Sequence, residues 1–130
     1  MPELNLLTIV AVAVLLFVGS SVYYVVVAAR VVDLAPPDGG DEGMAPWKMG
    51  VELIRNLVLA AVVAGLAALI GVTELSGALQ LAVALWIGFP VILLAGSVLW
   101  ESVDPRRATV HAGDWLIKLL LAAAVITTWP

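Results

Sequence analysis

The sequence has no cysteine and little charge. Without a thiol there is no disulfide exchange, no thiolate metal site and no cysteine nucleophile. Lysine and arginine number 6, aspartate and glutamate 10, together 12% of 130 residues, where soluble domains carry roughly a quarter. So few bases exclude a nucleic-acid binder that works through phosphate contacts. There is one histidine. What fills the chain instead is hydrocarbon, with 63% of residues hydrophobic. Four bilayer spans of about 20 residues need about 80 apolar positions, which absorbs nearly all of that fraction. A soluble enzyme, a disordered tail and a sizeable extramembrane domain are thereby excluded, and one domain, residues 1–130, is expected.

Four long runs carry the hydrocarbon: about 4–29, 49–70, 78–100 and 111–129. They are rich in Ala and Leu and do not alternate, so they read as helices rather than strands. The fold class is all-α, an integral membrane four-helix bundle. The first run is a retained span rather than a secretion signal, because Glu3 stands where a basic region would and the run is too long. Basic residues cluster at one end. Arg30 and Lys48 flank the first loop, Arg55 lies just inside span two, and Arg106 and Arg107 lie in the loop 101–110. The positive-inside rule puts loops 30–48 and 101–110 in the cytoplasm of a cell (inner) membrane, with both termini outside. The first loop, from Ala35 to Gly43, is Pro-, Gly- and acid-rich and reads as a solvated connector. Trp47, Trp100 and Trp115 would form an aromatic belt at the cytoplasmic interface, and Trp129 would mark the outer one.

Spans two and four resemble each other at an offset of 63. Gly50-Val51-Glu52-Leu53-Ile54-Arg55 aligns with Gly113-Asp114-Trp115-Leu116-Ile117-Lys118, and Ala60-Ala61-Val62-Val63 with Ala123-Ala124-Val125-Ile126. Two readings stay open: a duplicated helical hairpin in parallel, or coincidence between apolar helices. Duplication would make Arg55 and Lys118 equivalent positions facing a common cavity.

The polar residues gather near the same end. Glu52, Arg55 and Asn56 stand at i, i+3 and i+4, and His111, Asp114 and Lys118 at i, i+3 and i+7, each set on one helix face. Glu101 closes span three. Glu52 or Glu101 could pair with Lys118, and Asp114 with Arg55. Such groups are either a ligand vestibule or an interface ring in which long side chains snorkel to water. His111 with Asp114 and Glu101 is too small a donor set for an ordinary metal site. With Asp114 and Ser102, His111 superficially resembles a hydrolase triad, but no nucleophile elbow accompanies it. No catalytic residue, cofactor or metal is expected. No carboxylate is read as lying deep in any span. Pro90 should break the helix ladder near Trp86, and Ala60, Ala64 and Ala68 make a small-residue face for close helix packing.

The stretch Ala84-Leu85-Trp86-Ile87-Gly88-Phe89, then Trp100-Glu101, Gly113-Asp114-Trp115 and Trp129, resembles the bacterial four-span family catalogued as domain of unknown function 1761. With Tyr23-Tyr24 at the end of span one, the likeness covers most of the chain. Two departures stand out: the long first loop, and Asp114 where an aromatic is more usual. The resemblance implies a four-helix membrane fold and brings no activity and no site residue. The expected function is binding or passage of a small solute, ion or lipid at a cytoplasm-facing polar vestibule formed by Arg55, Lys118, Glu52, Asn56, Glu101, His111 and Asp114. The competing expectations are a structural or accessory subunit and, more remotely, a membrane enzyme. The expected partners are the lipid bilayer and a second copy in a homodimer.

Overall fold

A computed structural model describes residues 6–28 and 46–128. Glu3, Arg30, the Ala35–Gly43 loop and Trp129, for which the sequence raised expectations, lie outside the described residues. Every regular element described is helical: α1 (Leu6–Tyr23), α2 (Pro46–Ile70), α3 (Leu75–Trp86), α4 (Ile92–Glu101) and α5 (Pro105–Thr128). A π-helical turn, Tyr24–Ala28, extends α1, and another, Ile87–Val91, joins α3 to α4 into one span. Four segments are therefore long and apolar enough to cross a membrane: Leu6–Val27, Pro46–Ile70, Leu75–Glu101 and Pro105–Thr128. Helices suit that medium because each closes its backbone hydrogen bonds within itself.

The interruption in the third span falls at Pro90, as its missing N–H requires. The wider π turn accommodates the proline, and the span continues to Glu101. The turn between α2 and α3 is closed by Gly71, whose φ of 84° lets Gly71 N and Val72 N both reach the Ala67 carbonyl, at 3.0 and 2.9 Å.

The fourth helix starts six residues before the position read from the sequence (111 against 105). The connection is only Ser102 to Asp104, so Arg106 and Arg107 belong to the first turn of α5 rather than to a loop. Asp104 caps the helix. Its Oδ1 accepts from Arg106 N at 2.9 Å, and Pro105 fills the first helical position, where an N–H is not needed. That backbone bond, reinforced by the Arg106 guanidinium, holds the Asp104 carboxyl below the ordinary aspartate value. Hydrophobicity missed this start because charged and polar residues precede the apolar run.

Helix α5 is the centre of the arrangement. It packs against α1, α2 and the third span, while α1 also packs on α2. The third span has α5 as its chief neighbour and is the least buried of the four. The core joins Val12 and Leu16 of α1, Ala60 and Val63 of α2, Ala78 and Ala82 of α3, and Ala122 and Ala123 of α5. Alanines at these contacts let the backbones approach closely, the packing mode available where lipid removes the hydrophobic driving force. Ala60 and Ala64 of the small-residue face are buried inside the chain.

Candidate functional site

The earlier start of α5 places its polar residues further along the helix. Asp114 lies nine residues and Lys118 thirteen residues beyond Pro105. At 1.5 Å per residue these are about 14 and 20 Å along a helix of about 36 Å. Along the helix Lys118 is therefore near the middle and Asp114 lies about two and a half turns from the start. The expected helix start is corrected by the six residues added before it.

Both side chains are also enclosed between helices. The side chains of Lys118 and Asp114 are only 5% and 6% exposed, and Lys118 Nζ lies 3.2 Å from Asp114 Oδ2. The same ammonium reaches Glu52 Oε1 of α2, also at 3.2 Å, and Glu52 Oε2 accepts from Arg55 Nη1 at 2.7 Å. Ser20 of α1 donates to Asp114 Oδ1 at 2.5 Å. Charged groups in hydrocarbon are retained when paired and hydrogen-bonded, and this chain of contacts supplies both. Snorkelling, the alternative for Lys118, is excluded by its enclosure. Trp115 presents its ring 5.3 Å from the ammonium, adding a cation–π contact. Trp115 therefore lines this site, ten residues into α5.

The pairing differs from the expected one in one half. Glu52 joins Lys118 as anticipated, but Asp114 pairs with Lys118 rather than Arg55. Glu101 is exposed at the end of α4 and makes no ion pair among the described residues. It stands apart because the third span touches mainly α5, on a side away from α2. Asn56 is buried, 1% exposed, and its Nδ2 has no hydrogen-bond partner among the described residues. His111 Nδ1 shares a hydrogen bond with the Tyr24 hydroxyl at 2.6 Å rather than meeting Asp114 or Ser102, so the triad resemblance does not assemble. Among the described residues no three His, Asp or Glu side chains are grouped to hold a metal.

Residues of α1 that the sequence reading left out complete the site. Ser20, Tyr23 and Tyr24 stand at i, i+3 and i+4, the spacing already noted for Glu52, Arg55 and Asn56, and that spacing is the signal that could have found them. Tyr23 donates to the Val110 carbonyl at 2.7 Å. Its ring passes so close to Gly113 that a Cβ there would meet the hydroxyl and lie 3.1 Å from Cζ. Gly113 is thus required by a helix contact. Gly50, its counterpart in the sequence alignment, faces nothing within 4 Å. On the far side of α5, Trp86 Nε1 donates to the Ala112 carbonyl at 2.8 Å and fixes the third span.

Around these groups lies a cleft of about 690 Å³ between α1, α2 and α5. Ser20, Glu52, Arg55, His111, Asp114 and Lys118 line it with polar groups, and Phe17, Met49 and Trp47 line it with apolar ones. Arg55 and Lys118 do share this cavity, yet in unlike states. Lys118 is enclosed between two carboxylates, and Arg55 balances the second negative charge. Arg55 is 57% exposed, with its remaining guanidinium donors unbonded among the described residues. Chemically the cleft offers the exposed Arg55 guanidinium beside a buried ion-paired triad, with Lys48 as its surplus cation.

Two comparisons returned nothing: no curated protein and no solved structure matches the chain. The sequence model of a family described as "Protein of unknown function (DUF1761)" matches residues 6–127.

Proposed function

The chain belongs to the DUF1761 family, and from that premise we propose that it is a multi-pass membrane protein that binds small anionic groups at a vestibule open to the cytoplasm. The observation that carries the reading is Arg55, a cation with free donors at the mouth of a 690 Å³ cleft inside a membrane bundle. Lys48 lines the same cleft and adds positive charge. Glu52 orients the Arg55 guanidinium, and Lys118 keeps Glu52 and Asp114 from repelling an anion. The basic end, with Lys48, Arg106 and Arg107, faces the cytoplasm under the positive-inside rule, so both chain ends face outward. The protein makes and breaks no bonds in this reading. Ser20 donates to Asp114 and the Tyr24 hydroxyl bonds His111 Nδ1, and in this reading both contacts fix helices rather than activate a nucleophile.

The two cations call for different tests. Removing Lys118 strips a buried pair and endangers the fold, whereas Arg55 is exposed and its pair with Glu52 is worth about 0.5 kcal/mol. The Arg55→Ala chain in lipid nanodiscs should keep its helical spectrum and melting temperature. It should lose equilibrium binding of anionic phosphate probes. Binding equal to wild type refutes the proposal. A second reading, a structural subunit with no ligand, draws on the mutual compensation of Glu52, Lys118 and Asp114. It expects no saturable phosphate binding in wild type, and stability as the only property that the charges change.

A further inference from the structure

Arg55, Trp115 and Lys118 form a wall with a second groove behind it, of about 380 Å³, between α2 and α5. Its far side is the stripe Ile54, Val58 and Val62, at i, i+4 and i+8 on α2. These side chains are 60%, 58% and 52% exposed, so the groove opens to the hydrocarbon of the bilayer, while the vestibule opens at the polar end. The stripe runs about 12 Å along the helix axis. Asn56 sits in this groove with Nδ2 buried and without an acceptor among the described residues. An unpaired amide donor in such surroundings is costly, and the apolar face of another helix offers it nothing.

The two cavities thus share a cationic wall, one side polar and one side apolar. Glu52 and Asp114 balance Lys118 and Arg55, and Lys48 leaves the vestibule with a surplus of positive charge. We infer that the ligand is a single-chain amphipathic anion, an alkyl phosphate or long-chain carboxylate. Its head is held by Arg55 in the vestibule, and its chain lies along Ile54, Val58 and Val62. The inference rests on the vestibule reading and adds the hydrocarbon chain to it. A lipid anion and a free anion present the same phosphate chemistry, and the groove distinguishes them.

The test uses the full chain in phosphatidylcholine nanodiscs, with empty nanodiscs subtracted, and two labelled probes: dodecyl phosphate and inorganic phosphate. The variant Val58→Trp/Val62→Trp fills the groove from its lipid-exposed side, where bulk does not disturb the core. Dodecyl phosphate should bind saturably to wild type and about tenfold or more weakly to the filled variant, with inorganic phosphate changed by less than about twofold. If the filled variant binds dodecyl phosphate like wild type, or loses both probes equally, the chain assignment is overturned while Arg55-dependent phosphate binding still supports the vestibule. If neither probe binds wild type, or Arg55→Ala binds both unchanged, the vestibule falls and the inference with it. Binding of dodecyl phosphate only to a dimeric species, with the filled variant monomeric, assigns the groove to a second copy and overturns the inference.

Discussion

Replacing Lys118 by methionine keeps the length of the side chain and removes the ammonium from a position 5% exposed. Asp114 is then left with Ser20 alone, and Glu52 with Arg55. Breaking a buried ion pair from one side costs about 3–5 kcal/mol, because the surviving charge is stranded. Hydrogen bonds between membrane helices average only about 0.6 kcal/mol, so a loss of this larger size is diagnostic of charge. The single Lys118→Met chain should therefore lose about 3 kcal/mol or more. Asp114→Asn should lose less, since Lys118 keeps Glu52, which is 33% exposed and still reaches water. The double variant leaves no stranded charge on α5 and should recover most of the deficit. The coupling energy across the cycle should be about 2 kcal/mol or more. The four chains are compared by titration with sodium dodecyl sulfate in mixed micelles, followed by far-ultraviolet circular dichroism. A coupling below about 0.5 kcal/mol, the level of an exposed pair, refutes the claim that the pair is enclosed.

Two further predictions follow from local geometry. Gly113→Ala pushes a methyl into Tyr23 and should destabilise by about 1–3 kcal/mol, whereas Gly50→Ala meets open space and should be neutral or gain up to about 1 kcal/mol from helix propensity. Equal effects in the same titration would show that the α1–α5 contact at Tyr23 is wrong. At the start of α5, the folded-state value of Asp104 lies below the unfolded one, so its contribution is present above pH 3.8 and is lost as pH falls through the lowered value. Melting curves of Asp104→Ala should accordingly lie below wild type at neutral pH and converge with it in acid. A constant gap at all pH values would contradict the cap.

The four spans were legible because the bilayer demands long apolar runs and this chain spends most of its residues on them. The all-helical class, the break at Pro90 and the gathering of polar groups at one end follow from the same patterns. The start of α5 was not legible from hydropathy. It is written in Asp104-Pro105, a capping pair and not an apolar signal. The unlike fates of Arg55 and Lys118 were also hidden. In the sequence both are bases five residues after a glycine, and only the packing of α1 onto α5, through Tyr23 over Gly113, encloses one and leaves the other exposed. Duplication of the two halves thus remains a statement about sequence alone. Glu101 was grouped with the cluster by its position along the chain, but its span attaches to the opposite flank of α5.

The attachment of the third span has a consequence for how the protein is made. Synthesis proceeds from the N-terminus, so α1 and α2 can pair as soon as both are in the bilayer. The third span arrives next, before its chief partner exists. Its two halves must wait in lipid, with the Trp86 indole N–H unmatched, until α5 is threaded. Helix α5 then delivers Asp114 and Lys118 to Ser20 and Glu52 and docks Trp86 in the same event. Until α5 enters the bilayer the polar interior is unbuilt, so the three earlier spans take their final packing only once α5 joins them.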